Sequence, residues 1–269
     1  MKKLYIVEGL PCSGKSTASA FIAEELKKKY KVCYVDEGTG NHPADYEFHA
    51  FLSNTNLQNF NEAEQASIKL EAEKKCDGYV VPISAFCGDL FKKLLQFKVY
   101  DFLPWEAEYP VMLEKWCSFT DGADDNTVYI FNCVLLQNPM CETMMRFGFE
   151  VEKSLEYISE IAEIIKPLEP VVIYLKNDDI RSSVEMAAKE RNGWLDGAID
   201  YHVNGAYGKS INAQGFEGYI ACLEERQKRE LEILSRLDIE SVVIDNPHRD
   251  WNNSYEAIKE FLWEMICRK

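Results

Sequence analysis

The chain has 269 residues, of which 46% are hydrophobic and 28% charged, so it can bury a sizeable core and is not a disordered polymer. Forty-five acidic against thirty basic side chains leave a net charge of −15, which excludes a general nucleic-acid binder but leaves room for a small anionic ligand in a local basic pocket. The nine cysteines are odd in number and include no C-x-x-C pair, so neither a disulfide framework nor a zinc knuckle is expected, and reduced thiols in the cytoplasm fit best.

The first element in the chain is a short apolar strand over residues 3–8. Lys2 and Lys3 resemble the start of a signal peptide, but Glu8 and the glycines after it end the apolar run, and neither a leader nor a membrane span is expected. Gly9-Leu10-Pro11-Cys12-Ser13-Gly14-Lys15-Ser16 then reads G-x-x-x-x-G-K-S, followed by Thr17. A helix is expected over 16–30, with Ala18, Phe21, Ile22 and Leu26 on one face. Strand, glycine loop and helix together are the context of a phosphate-binding loop. Gly9 and Gly14 permit backbone torsions that a side chain would block. The loop N–H groups converge on phosphate oxygens at the positive end of the helix. Lys15 can reach the outer phosphates, and the Ser16 hydroxyl can ligate Mg²⁺. These residues therefore bind a nucleoside triphosphate.

A second strand is expected over 31–36, closing in Asp36-Glu37-Gly38. In an open parallel sheet, ligands bind at the carboxyl ends of strands, so these carboxylates face the chemistry. Three roles fit them: a general base for an attacking hydroxyl, a water-mediated Mg²⁺ ligand, or an acidic turn. The alternation of the strand should point the two side chains apart. Asp36, the shorter and more firmly held, is favoured as the base, and only one of the pair is expected to face the nucleotide.

About ninety residues separate this strand from the next, far more than a crossover needs. Helices are expected within them at 62–75, 86–97 and 105–119, an insertion at about 60–120 and the natural place for acceptor specificity. A third strand over 127–133 carries Asn132 where a magnesium-binding aspartate would be expected; Asn132 and Gln137 either contact substrate or form turns. A helix at 152–166 leads to a fourth strand at 171–176. A helix at 179–192 follows, then a break at Arg191-Asn192-Gly193-Trp194 into a mobile segment. Arg191 there either closes over the γ-phosphate or pairs with Glu185 or Glu190. A helix at 216–237, a fifth strand at 241–245 ending in the turn residues Asp245-Asn246, and a helix at 254–267 capped by Asn253 complete the chain. His42, His49, His202 and His248 have no metal-ligand spacing and read as core or solvent residues.

The run from Val7 to Thr17 resembles the P-loop kinase group, which includes thymidylate, deoxynucleoside, gluconate and shikimate kinases. Thymidylate kinases share the Glu-Gly entry to the loop. The resemblance implies an α/β, three-layer P-loop NTPase sandwich. Its five-stranded, mainly parallel sheet has the order 2-3-1-4-5, in one domain over 1–269, with the helical insertion between strands 2 and 3. It implies ATP and Mg²⁺, with Lys15 on phosphate, Ser16 on magnesium, Asp36 or Glu37 on acceptor or metal, and Arg191 as a lid arginine. The Asp-Arg pair that follows the third strand in nucleotide kinases is replaced here by Asn132-Cys133. The expected activity is ATP-dependent phosphotransfer to a small-molecule hydroxyl or phosphate acceptor. The alternative is a regulatory protein that binds and hydrolyses ATP; no N-K-x-D guanine motif is present, and the charge opposes a nucleic-acid 5′-end kinase.

Overall fold

The computed structural model describes residues 2–75 and 77–267. Among these residues eight strands occur in chain order: β1 (Leu4–Gly9), β2 (Lys31–Val35), β3 (His49–Ser53), β4 (Glu73–Lys75), β5 (Gly78–Pro82), β6 (Thr127–Asn132), β7 (Val171–Lys176) and β8 (Glu240–Asp245). The chain divides into two compact units. One runs up to Glu37 and resumes at Thr120; the other is Gly38–Phe119. Among the described residues, no helix is long and apolar enough to cross a membrane.

The first unit holds a five-stranded parallel sheet in the order β2-β6-β1-β7-β8. Numbered on their own, these strands lie 2-3-1-4-5, the expected order. β1 is central, and all six of its residues are buried. A parallel strand covered on both faces must be apolar throughout, which is why Leu4–Val7 and Val171–Leu175 are unbroken hydrophobic runs. On one face, Ala18, Ile22 and Leu26 of the helix Lys15–Lys27 pack with Ile258, Leu262 and Met265 of the helix Trp251–Cys267 against Tyr5, Val7, Ile130 and Ile173. Each such fully buried aliphatic side chain contributes roughly 1.5–3 kcal/mol. A second cluster joins Leu10 and Val184 to Tyr219, Ile220 and Leu223 of the helix Gly215–Arg236.

Two segments of this unit differ from expectation. The stretch after Arg191, expected to be mobile, forms a helix over Trp194–Asn204, started by Gly193 at φ 75°. The last helix begins at Trp251 rather than 254, because the Asp250 carboxylate accepts the Asn253 N–H at 3.1 Å and caps it one turn earlier.

Helices close to those expected occur at Glu62–Glu71 and Gly88–Leu95 within the unit Gly38–Phe119, and at Trp105–Gly122, which begins in that unit and ends three residues past its boundary. The unit also contains an antiparallel sheet, β3-β5-β4, that the helical reading lacked. The helix expected over 62–75 stops at Glu71, and its last three residues form β4. Ala50, Leu52, Ile68, Val81, Ile83 and Leu94 make a core of their own here.

Candidate functional site

The phosphate loop is built as the motif requires. Gly9 ends β1 at φ 141°, and a Cβ there would lie 2.6 Å from the Leu175 carbonyl oxygen of the neighbouring strand. Gly14 has φ 91°, and a Cβ would fall 2.4 Å from the Trp251 ring. Both glycines are thus required by conformation and by space. The helix begins at Lys15, and Gly14 offers its carbonyl to Ala18 N–H at 3.0 Å. Lys15 is 7% exposed and donates to the Leu10 carbonyl at 2.7 Å. Among the described residues no carboxylate stands within ion-pair distance of it. A nearly buried ammonium with only a neutral acceptor is a site for an anion.

The loop opens on a cavity of about 290 Å³ within the first unit. Pro11, Cys12, Gly14, Lys15, Ser16 and Thr17 form one side, and Glu37, Gln137, Arg191, Trp194, His202 and Tyr219 border the rest. Of the residues singled out in the sequence, the structure therefore brings Glu37 and Arg191 to the loop. Gly9 and Ser13 belong to the loop but do not line the cavity. The Arg191 guanidinium lies 5.7 Å from the Trp194 ring centre and is near enough to Cys12 to oppose the rise of its thiol pKa, which burial drives. Neither Glu185 nor Glu190 pairs with Arg191. Arg181 lies outside the cavity and forms an ion pair with Glu217.

Asp36 and Glu37 lie just past Val35, where β2 ends; they take different partners, and both reach the site. The Ser16 hydroxyl donates to Asp36 Oδ1 at 3.1 Å, so Asp36 stands against the loop serine. Glu37, not Asp36, borders the cavity. Its two carboxylate oxygens accept from the Cys133 thiol and the Gln137 amide, each at 3.2 Å. Asn132 joins the pair: its side-chain N–H₂ donates to Asp36, and its Oδ1 accepts the Glu37 backbone N–H at 3.0 Å. The asparagine in the aspartate position therefore holds the Asp36 carboxylate and the Glu37 backbone, both just past the end of the adjacent strand.

Several contributors were not picked out in the sequence. Glu8 is fully buried, and its carboxylate accepts the backbone N–H groups of Leu135, Leu136 and Gln137 at 2.7–3.0 Å. Burial pushes its carboxyl up to about 7, against the pull of those N–H groups and with help from Glu230. His202, read as a core or solvent residue, is buried in the cavity wall; its ring Nδ1 donates to the Ala198 carbonyl at 2.8 Å. Burial and the nearby Arg226 guanidinium push it down to about 4, so the ring is neutral near pH 7 and its Nε2 carries a lone pair. Behind it Tyr219 is fully buried, with a hydroxyl that meets no hydrogen-bond partner. Arg226 and Glu230, both inaccessible, form an ion pair at 3.0 Å. The Glu8-Gly9 dipeptide was the one sequence signal available for Glu8; its N–H partners lie more than a hundred residues away.

No protein-family model matches the chain, and no curated protein matches its sequence. Solved structures similar to it include the YorR protein from Bacillus subtilis in complex with phosphorylated GDP, at 16% identity over 99% of this chain and 98% of that one, with a TM-score of 0.44. Thymidylate kinase from Ehrlichia chaffeensis is similar at 11% identity over 97% and 98%, with a TM-score of 0.44. Thymidylate kinase from Candida albicans is similar at 13% identity over 98% and 90%, with a TM-score of 0.40.

Proposed function

We propose that the chain is an ATP- and Mg²⁺-dependent phosphotransferase acting on a small-molecule hydroxyl or phosphate acceptor. The observation that carries this reading is the buried, counter-ion-free Lys15 in a complete phosphate loop, opening on a cavity that also holds Glu37 and Arg191. Lys15 and the loop N–H groups hold the phosphates. Arg191, at the cavity edge, stabilises charge on the transferred group. Glu37, gripped by Cys133 and Gln137, accepts the proton of the acceptor hydroxyl.

The residues at the loop fit Mg²⁺. The Ser16 hydroxyl and Asp36 Oδ1 are neighbouring hard oxygens, the type of donor this ion takes alongside water and phosphate. When bound, the ion supplies neutralising charge to the phosphate oxygens. Asp36 is thereby assigned to the metal side and Glu37 to the acceptor side. We treat Gly38–Phe119 as an insertion into a single kinase chain, and the free thiols among the described cysteines as signs of a reducing cytoplasm.

The test is a phosphotransfer screen with labelled ATP over nucleosides, sugars and aminoglycoside-type antibiotics, with and without Mg²⁺. Label transferred to one acceptor class, only with the metal, supports the reading. Tight ATP binding with label passing to water alone overturns it in favour of a regulatory ATPase.

A further inference from the structure

We infer that Glu8 is a positioning residue of this site: its buried carboxylate fixes the segment after β6 and, through Gln137, sets where the Glu37 carboxylate stands. The inference rests on the phosphotransfer reading for its kinetic consequence, but not for its structural one.

The geometry is continuous. β6 ends at Asn132, and the chain turns at Cys133, whose φ is 69°. Cys133 N–H still bonds to the Val7 carbonyl at 3.1 Å, which keeps the segment beside β1. Past Val134, the three consecutive N–H groups of Leu135, Leu136 and Gln137 all go to the one carboxylate of Glu8. Beyond them, Asn138 and Met140 bond to the Cys133 and Leu136 carbonyls, so Glu8 supplies the anchor the backbone itself does not. Asn132, Cys133 and Gln137 bracket this anchored stretch, and all three hold Glu37: at its backbone N–H, at Oε2 and at Oε1. Since the next residue after Glu8 is the loop's Gly9, one buried carboxylate sets the acceptor-side base relative to the phosphate loop.

Only a carboxylate serves all three N–H groups. Oε1 takes two and Oε2 takes one. A glutamine would put an N–H₂ against at least one of those donors and leave it unsatisfied. A protonated carboxyl likewise loses acceptor capacity on one oxygen. Because burial holds the Glu8 carboxyl at about 7, the anchor titrates in the physiological range. The groups facing it are Glu230, whose ion-pair partner is Arg226, on the helix Gly215–Arg236, Tyr174 across on β7, and Cys133 on the anchored turn. Glu230 raises the Glu8 carboxyl further.

The experiment compares wild type with Glu8→Gln and Gln137→Met. It reads amide hydrogen exchange in the protein without nucleotide, and turnover against pH with the acceptor found in the screen. Glu8→Gln is expected to speed exchange at residues 135–137 and at the Glu37 N–H by about tenfold or more. It should lower kcat about 10²-fold, the usual effect of a displaced catalytic group, with KM for ATP little changed. It should also abolish a rise in wild-type kcat through about pH 7. Gln137→Met keeps the anchor. It should lose turnover while residues 135–137 stay protected, which covers the case in which Glu8→Gln folds poorly. Wild-type protection and an unchanged pH profile in a folded Glu8→Gln overturn the inference, as does wild-type turnover in Gln137→Met. If no acceptor is found, the exchange result decides alone: protection lost at 135–137 and at Glu37 upholds the inference while the phosphotransfer reading falls, and protection kept overturns it.

Discussion

Replacing Glu37 by glutamine tests the assignment of the base. The change preserves size and removes the ability to take a proton. A positioned base contributes about 10²–10⁴ in rate, or roughly 3–5 kcal/mol of barrier, so kcat should fall by that factor. The structure adds a second, smaller effect. Both Glu37 oxygens accept hydrogen bonds, from Cys133 and from Gln137. A glutamine offers one acceptor, so one of these donors is orphaned at a cost of about 1 kcal/mol, which should appear as a small drop in the denaturant midpoint. Asp36→Asn should behave differently. Asp36 touches Ser16 rather than the cavity, so its loss should raise the Mg²⁺ concentration needed for half-maximal rate while saturating Mg²⁺ restores much of the turnover. The assay is steady-state phosphotransfer over a grid of Mg²⁺ and acceptor concentrations. A metal defect in Glu37→Gln together with a metal-independent loss in Asp36→Asn would reverse the two roles. Full activity in both variants would place the base elsewhere.

Lys15→Ala should abolish phosphotransfer and weaken ATP binding while leaving the melting temperature near wild type, since it deletes a buried charge held only by the Leu10 carbonyl; calorimetric ATP titration of the folded variant checks this. Gly9→Ala should destabilise by about 2 kcal/mol or more, because the new methyl meets the Leu175 carbonyl in a left-handed backbone, and urea unfolding reads the loss. Arg226→Met should cost about 3–5 kcal/mol by stranding Glu230, and adding Glu230→Met should recover most of it in a Tyr174→Phe background, which removes the buried hydroxyl that donates to Glu230; no recovery there would mean that the pair itself, not the stranded charge, carries the energy. His202 is held neutral in the fold with a pKa near 4, so the unfolded chain binds its proton first as the pH falls. Stability should therefore drop by up to about 3 kcal/mol between pH 6.5 and 4, and His202→Gln should flatten that part of a plot of urea midpoint against pH.

The core of the parallel sheet was legible because its three central strands, β6, β1 and β7, are covered on both faces. Such strands leave unbroken apolar runs, and Leu4–Val7, Val128–Phe131 and Val171–Leu175 could be read with little ambiguity. The phosphate loop was legible for a steric reason, since its two glycines cannot be replaced. The second sheet was not. β4 is Glu73-Lys74-Lys75, three charged residues that continue a helical pattern and become a strand only by pairing with β5. The helix Trp194–Asn204 was hidden as well: Arg191-Asn192-Gly193-Trp194 reads as a break, whereas Gly193 in a left-handed conformation starts the helix.

The site divides in the same way. Alternation along a strand says that Asp36 and Glu37 point apart, but both lie past Val35, where β2 ends, and what distinguishes them is their partners, Ser16 and Asn132 for one and Cys133 and Gln137 for the other. Alternation does not say which one meets the cavity, because that is decided by Asn132, Cys133 and Gln137, about a hundred residues further on. Asn132 shows why a motif position can mislead. The missing aspartate looked like a lost metal ligand, yet the amide at that place does what a carboxylate could not. It donates to Asp36 and accepts from the Glu37 N–H, holding two acids side by side at one end of the sheet. An aspartate at 132 would set a third negative charge against Asp36 and lose the donor. Asn132→Asp is therefore expected to impair turnover rather than restore a stronger metal site. A gain in Mg²⁺ affinity with turnover intact would show that residue 132 faces the metal after all.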